Sequence, residues 1–209
     1  PIVLSGWLLF GFFGAKGQTG PAGIADFDFN QFGKHLERGL WPFLVQLVAI
    51  IVILPVMYVL MFGVILLFSL AAGALGETDE TLASVVGVIA IAVMGIGYVL
   101  AILTFYLILR PLQIRAALTQ DFGAAFNLTF IKQFLALTWK EQIAATLFLI
   151  ASSIALFTAG AIVFCVGAYL AMPVVSFAMW HLDHQLYQLY LQRGGEPIAV
   201  SSKLSEAAG

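Results

Sequence analysis

Charged residues are scarce in this chain. They make up only 10% of the 209 residues, whereas 62% are hydrophobic and the mean hydropathy is +1.03. A soluble globular domain carries about 25% charged residues and is about 45–50% apolar. The composition therefore excludes an ordinary soluble domain and predicts an integral membrane protein.

Basic tails, cysteine pairs and catalytic motifs are also missing. The net charge is −2 and no basic run occurs, so nucleic acid is not an expected partner. The single Cys165 excludes an intrachain disulfide framework. The sequence contains neither a Gly-rich phosphate loop with its Lys nor a metalloprotease helix motif. We therefore expect no catalytic residues and no cofactor, and we predict that the protein is not an enzyme.

Long apolar runs dominate instead, and a membrane-crossing helix needs about 20 such residues. The run that follows Gln142 is about 40 residues long, twice what one crossing needs, so it must turn back once, at 164–167 or at 158–160. Residues 1–15 are too short to cross and resemble the end of a helix whose beginning is missing. The predicted membrane segments are about 1–15, 41–75, 82–109, 142–163 and 168–190.

The predicted fold is an all-α polytopic membrane helix bundle with about five membrane helices, the first of them truncated. These helices belong to a single integral membrane domain, residues 1–195, which a flexible C-terminal tail, residues 196–209, follows. We expect the helix over 41–75 to continue through Pro55 with a kink, because proline removes one backbone hydrogen bond.

Two amphipathic stretches precede membrane segments. In residues 28–40, Phe, Leu and polar residues recur at helical spacing, which predicts an interfacial helix that starts near Asp28 and bends into the bilayer at Trp41 and Pro42. Residues 124–139 repeat this pattern. The chain is therefore interpreted as two amphipathic helices, each followed by a hairpin, with a duplicated unit as one explanation.

Aromatic, apolar and basic side chains of these stretches, together with the end of the last segment, are predicted to lie at the membrane interface. Within residues 28–40 we expect the apolar members to face the acyl boundary or the protein's own hairpins and the cations to face water. The predicted membrane-interface residues are Phe29, Phe32, Leu36, Lys34, Arg38, Trp41, Phe126, Phe130, Phe134, Trp139, Trp180, Tyr187 and Tyr190.

The basic residues segregate to one side of the predicted bundle. Segments 16–40 and 110–141 and the C-terminus hold all of them, whereas one opposite connection carries Glu77, Asp79 and Glu80. The positive-inside rule then places both segments and the C-terminus in the cytoplasm. The predicted location is a bacterial inner membrane.

Histidines provide the only candidates for a metal site. His181 and His184 lie three residues apart on the last predicted helix, and His35 or Asp28 would have to complete a ligand set. Histidines are also common where a helix leaves the bilayer. We therefore predict no metal site.

Three stretches resemble a known family: "ADFDFNQFGKHLERGLWPFL" before a long span, "RPLQIRAAL" followed by "FGAAF", and "CVGAYLAMPVVSFAMWHLDHQLYQLY". They are similar to an uncharacterised bacterial family of polytopic membrane proteins defined only as a domain of unknown function, over most of residues 20–195. The resemblance implies the membrane architecture. It implies no activity, ligand or catalytic residue.

Ionisable residues are absent from the cores of the predicted spans, which disfavours an ion-coupled transporter. Two functions remain. The first is a non-catalytic scaffold or accessory subunit that contacts membrane lipids and either other membrane protein subunits or further copies of itself. The alternative is a passive carrier or lipid-handling protein with a site between two helical hairpins.

Overall fold

The computed structural model describes residues 2–14, 29–76, 80–162 and 166–205, and it is helical through most of these ranges. A short 3-10 helix at Phe29–Gln31 precedes α2. The helices are α1 (Ile2–Phe13), α2 (Phe32–Gly76), α3 (Glu80–Thr119), α4 (Phe122–Ala125), α5 (Leu128–Ile162), α6 (Val166–Gln192) and α7 (Ser202–Ser205). Because these ranges contain no strand, the all-α prediction is confirmed for them.

Three helices in the described ranges are long and apolar enough to cross a membrane. They span Phe29–Ala74, Ser84–Thr119 and Leu128–Ala161, while Ile2–Phe13 is apolar but shorter. This pattern indicates a membrane-embedded protein.

The helices around the predicted interfacial segments are longer than expected. α2 joins most of the interfacial stretch 28–40 to the span that follows it and continues through Pro42 and Pro55. The predicted interfacial helix and the span that follows it are therefore one continuous helix across Trp41 and Pro42. Proline at position 42 leaves the Arg38 carbonyl without its usual partner, but the Gln120 side chain donates to this carbonyl at 3.3 Å and offsets the loss.

The second amphipathic stretch also continues directly into a span. α5 runs without interruption from Leu128 to Ile162 and contains most of the predicted 124–139 helix. Its start is fixed by Asn127, whose side-chain oxygen accepts a hydrogen bond from the Phe130 amide at 2.9 Å. The helix passes through residues 158–160, so of the two predicted turning points only 164–167 is compatible with it.

The chain divides into two compact parts, which we name the core unit, Pro1–Leu47 with Leu107–Gly209, and the hairpin unit, Val48–Tyr106. The hairpin unit consists of the second part of α2 and the first part of α3. Ala90 is its one buried hydrophobic residue among those described, whereas Val59, Leu67 and Ile91 are 71%, 67% and 69% exposed. Such a surface is costly in water and suits hydrocarbon.

The core unit contains a conventional apolar core. Members from α1, α3, α5 and α6 pack together, with Leu9, Ile114, Phe134 and Tyr190 completely inaccessible. A smaller cluster forms around Val45, between α2, α3 and the start of α5. In α6 the exposed apolar side chains end at Phe177, and from Trp180 onward this helix contributes to the core.

Glycines permit two close helix crossings. A Cβ on Gly6 would lie 1.7 Å from the His35 carbonyl oxygen, and one on Gly39 would lie 1.9 Å from the Ile2 carbonyl oxygen, so α1 and α2 touch backbone to backbone. A Cβ on Gly167 would meet the Gly160 Cα at 2.7 Å, where α5 and α6 approach each other. Glycine, which has no Cβ, is therefore required at both crossings.

The segment after α6 packs against the core unit, so the prediction of a flexible tail from residue 196 is wrong for residues 196–205. The Ile198 amide donates to the Tyr187 hydroxyl at 2.9 Å, and the Ser201 amide donates to the Leu118 carbonyl at 2.9 Å. The physical reason is burial, because Ile198 is 8% exposed and Leu204 is inaccessible. Residues 206–209 lie outside the described ranges.

Candidate functional site

An enclosed ion pair joins α3 to α6 in the core unit. Arg110 Nη1 donates to Asp183 Oδ1 at 2.6 Å, and the two side chains are 2% and 0% exposed. Charges are buried in proteins only when they are paired or neutralised, because removing them from water is expensive. This pair is the most strongly enclosed charged group among the described residues and is our candidate functional site.

Several polar atoms near the pair in sequence have no partner among the described residues. They include Arg110 Nε, Asp183 Oδ2 and the indole nitrogen of Trp180, which lies one helical turn before Asp183. Buried polar groups of this kind are ordinarily satisfied by ordered water. The arrangement can therefore hold water or fix the helices, whereas the near-zero exposure of both charged side chains leaves no open path for a substrate.

A second group of buried polar residues follows one face of α5 at four-residue spacing. Thr138, Gln142 and Thr146 are 0%, 0% and 2% exposed. The Gln142 amide donates to the Thr138 hydroxyl at 3.0 Å, and Thr138 donates to the Phe134 carbonyl at 2.7 Å. Thr138 and the Gln142 amide nitrogen are thus bonded along the helix, as is usual for such groups in apolar surroundings. Gln142 Oε1 and the Thr146 hydroxyl are buried and have no partner among the described residues.

Hydrogen bonds also tie α2 to α3 inside the core unit. The Gln113 amide donates to Gln46 Oε1 at 3.3 Å, one turn beyond Arg110, and Gln120 reaches the Arg38 carbonyl. A more exposed ion pair joins Arg193 to Glu141 at 2.6 Å, with 39% and 37% exposure. The hydrogen bond to the Glu141 carboxylate raises the pKa of Arg193 above its ordinary value.

The predicted membrane-interface residues divide into two groups. The first is on the surface, with Phe29 80%, Phe32 48%, Leu36 42%, Phe126 44% and Trp139 49% exposed, Lys34 also exposed, and Trp41 partly buried. These side chains remain available to a membrane interface.

The second group is enclosed by the protein, so the prediction that these residues face a membrane surface is wrong. Phe130, Phe134, Trp180, Tyr187 and Tyr190 are all at most 6% exposed and belong to one core cluster. The Tyr190 ring packs edge-on against Phe130 and tilted against Phe134, with ring centroids 5.5 Å and 5.0 Å away. Its hydroxyl donates to Gln133 at 3.0 Å. Aromatic packing of this kind occupies the faces that lipid would otherwise contact.

Arg38 also departs from its predicted role, since it was expected to face water. Its side chain is 3% exposed, and it donates from Nε and Nη2 to the Lys203 carbonyl at 3.3 and 3.2 Å. The guanidinium lies 4.4 Å from the centre of the Phe10 ring, within range of a cation–π contact. Arg38 therefore joins α1, α2 and the C-terminal segment.

The histidines stand apart from any metal-binding group in the ranges described. No set of three or more His, Cys, Asp or Glu side chains there has a suitable arrangement for a metal ion. The Gln185 amide nitrogen lies 2.9 Å from His181 Nε2, and the His184 ring packs edge-on against Phe13 at 5.2 Å. His35 is buried in α2 at 3% exposure, and Asp28 lies outside the described residues.

Sequence reasoning missed the Arg110–Asp183 pair because it ended the third membrane segment at residue 109 and assigned Arg110 to a cytoplasmic loop. A usable signal was present. Apolar residues continue beyond Arg110 at helical spacing, through Ile114, Ala117 and Leu118, all of which are inaccessible. An arginine and an aspartate that lie inside two apolar helical stripes are expected to form an ion pair with each other.

Comparison with known proteins gives a family but no activity. No curated protein and no solved structure matches this chain. Residues 5–178 match the family described as "Protein of unknown function (DUF4013)". The match agrees with the resemblance found in the sequence and covers most of the chain. The chain therefore belongs to this family of unknown function, DUF4013.

Proposed function

We propose that the protein is a non-catalytic membrane scaffold or accessory subunit, and that the hairpin unit is the surface through which it contacts partner helices and lipid. One observation carries the proposal. Residues 48–76 and 81–106 contain no charged side chain, and their large apolar side chains are mostly exposed rather than packed within the hairpin unit. A surface of this kind must be covered by lipid or by other helices.

The core unit supports a structural rather than a chemical role. Its charged pair, Arg110 with Asp183, is closed to substrates, and its aromatic side chains fill the core. The pair joins two helices, α3 and α6, at points where an uncompensated charge would be costly. In this proposal it holds the helices in one arrangement while the hairpin unit makes the external contacts.

The proposed membrane arrangement has five membrane helices, α1, α2, α3, α5 and α6, of which α1 is too short to cross the membrane by itself. Exposure along α6 supports its inclusion, because Tyr169 and Leu170 are 77% and 69% exposed in the half that precedes Phe177. The segregation of Lys and Arg supports a bacterial inner membrane location with a cytoplasmic C-terminus.

Purification from native membranes tests the proposal. The tagged protein is extracted in mild detergent, and co-purifying proteins and lipids are identified by mass spectrometry. A scaffold retains a membrane protein or a second copy in fixed stoichiometry. Replacing Met57 and Ile102 by Trp, which keeps the hairpin unit apolar but changes its shape, should reduce this retention, whereas Leu147→Trp on α5 should not. A chain that purifies without any protein partner contradicts the scaffold proposal.

A groove in the hairpin unit favours the carrier or lipid-handling alternative. It has a cavity volume of about 390 Å³ and an apolar lining that includes Ile53, Met57 and Ile102. An acyl chain is chemically suited to such a surface. This alternative predicts one lipid species retained at a 1:1 ratio in native mass spectrometry. A random mixture of lipids contradicts it.

A further inference from the structure

The groove of the hairpin unit carries two tyrosines as well as apolar residues. Tyr58 from α2 and Tyr98 from α3 both line it, beside Met61 and Phe105. Their side chains are 66% and 49% exposed. Neither hydroxyl has a hydrogen-bond partner among the residues described, whereas the Thr104 hydroxyl nearby donates to the Leu100 carbonyl at 2.8 Å. The groove therefore presents two unsatisfied phenol groups on an apolar surface.

The two tyrosines lie at the same level of the hairpin. Tyr58 precedes the end of α2 at Gly76 by 18 residues, and Tyr98 follows the start of α3 at Glu80 by 18 residues. In the other direction along these helices, the nearest amide or charged side chains are Gln46 and Arg110, each about 18 Å away at 1.5 Å per residue. If the apolar runs are immersed, both hydroxyls are too deep to reach the headgroups.

We propose that the occupant of this groove is the same groove of a second copy of this chain, in a symmetric dimer. A two-fold axis perpendicular to the membrane places α2 of one copy against α3 of the other when the two grooves face each other. Tyr58 of one copy then lies opposite Tyr98 of the second copy, at matching depth. A phenol both donates and accepts, so two such pairs satisfy all four hydroxyls.

A second copy fits this groove better than an acyl chain does. An acyl chain covers apolar surface but offers no hydrogen-bond acceptor at that depth, and an unsatisfied polar group in hydrocarbon is unfavourable. The inference deepens the proposed function and rests on it, since it requires the hairpin unit to lie in the membrane. It names the partner as a second copy.

Disulfide cross-linking in native membranes tests the inference. In a Cys165→Ala background, a Leu54→Cys copy co-expressed with an Ile102→Cys copy is expected to form a cross-linked dimer. Both positions line the groove, one helical turn from Tyr58 and Tyr98, and face each other in the proposed dimer. A Val59→Cys copy with the Ile102→Cys copy is the matched control, since Val59 is 71% exposed on the same helix but outside the groove lining. Cross-linking of the Leu54→Cys and Ile102→Cys copies alone supports the inference. Equal cross-linking of both combinations, or none, overturns it.

Phenylalanine variants then test the hydrogen bonds. Tyr58→Phe and Tyr98→Phe each remove one partner from both pairs, so each single variant and the double variant should weaken dimerisation equally, by about tenfold. Mixing a Tyr58→Phe copy with a Tyr98→Phe copy retains one intact pair, so that heterodimer should lose only about threefold. Additive effects of the two single variants overturn the predicted pairing.

Two measurements keep this inference separate from the proposed function. Alkaline extraction reports whether the protein is integral to the membrane, and native mass spectrometry reports bound lipid. A membrane-integral monomer overturns the dimer and leaves the scaffold proposal standing. Retention of one lipid that is lost in the double Phe variant also overturns the dimer and favours the carrier alternative. Failure to remain in the membrane overturns both proposals.

Discussion

At the scale of single residues, the Arg110–Asp183 pair has the clearest energetic meaning. Both partners are enclosed, so removing one leaves the other buried without compensation, at a cost of about 3–5 kcal/mol. Replacing both with apolar residues of similar size removes the cost along with the pair. A structural role and a chemical role therefore respond differently to single and double substitution.

We expect Arg110→Met or Asp183→Leu alone to lower thermal stability strongly and the double variant to recover most of the loss. Thermal unfolding in detergent, followed by fluorescence-detected size exclusion, measures this. Glu141→Gln is the control, because its ion pair with Arg193 is more than a third exposed and should matter little. If the double variant is as unstable as the single variants, the pair does more than compensate buried charge.

Arg38 and Lys34 should also behave differently, although both are basic and close in sequence. Arg38 is 3% exposed and bonds the Lys203 carbonyl, so Arg38→Gln should reduce the free energy of unfolding by about 1–3 kcal/mol. Lys34 is exposed, and Lys34→Gln should leave stability unchanged. The same thermal assay compares them. Equal stability of the two variants would show that the Arg38 contacts contribute little.

At the scale of helices, hydropathy predicted the existence and approximate positions of the long segments but not where α2, α3 and α5 begin and end. An apolar stripe at 3.6-residue spacing looks alike whether it faces lipid, headgroups or protein. For this reason Phe29 and Phe134 received the same prediction, although one is 80% exposed and the other inaccessible. Burial depends on which helix packs alongside, and that information is not local.

The crossing of α1 and α2 gives a prediction at the same scale. Gly39→Ala should destabilise the core unit, because the added methyl group would lie 1.9 Å from the Ile2 carbonyl oxygen and force the helices apart. Gly33→Ala on the same helix meets nothing within 4 Å and should stabilise α2 by up to about 1 kcal/mol. The melting temperatures of the Gly39→Ala and Gly33→Ala variants, each compared with that of the unchanged protein, test this prediction. Similar values for both variants would contradict the close crossing.

At the scale of the whole molecule, the distribution of charge supports the proposed orientation of the protein in the membrane. All nine Lys and Arg residues lie outside residues 48–106, and the charged side chains in the connection between α2 and α3 are all acidic. Lys132 is exposed at the start of α5, and Arg193 follows α6. This distribution favours an orientation in which residues 77–79 lie outside the cytoplasm. The end of α5 near Lys132 and the end of α6 near Arg193 then lie inside it.

Cysteine labelling tests this orientation directly. In a Cys165→Ala background, Asp79→Cys should react with a membrane-impermeant maleimide on intact cells, because the proposed orientation places its connection outside the cytoplasm. Lys132→Cys should react only after permeabilisation, because the positive-inside rule retains basic segments in the cytoplasm. Labelling in detergent confirms that both thiols are reactive. Equal labelling of the two positions from outside would contradict the proposed orientation and the assignment of the basic segments to the cytoplasmic side.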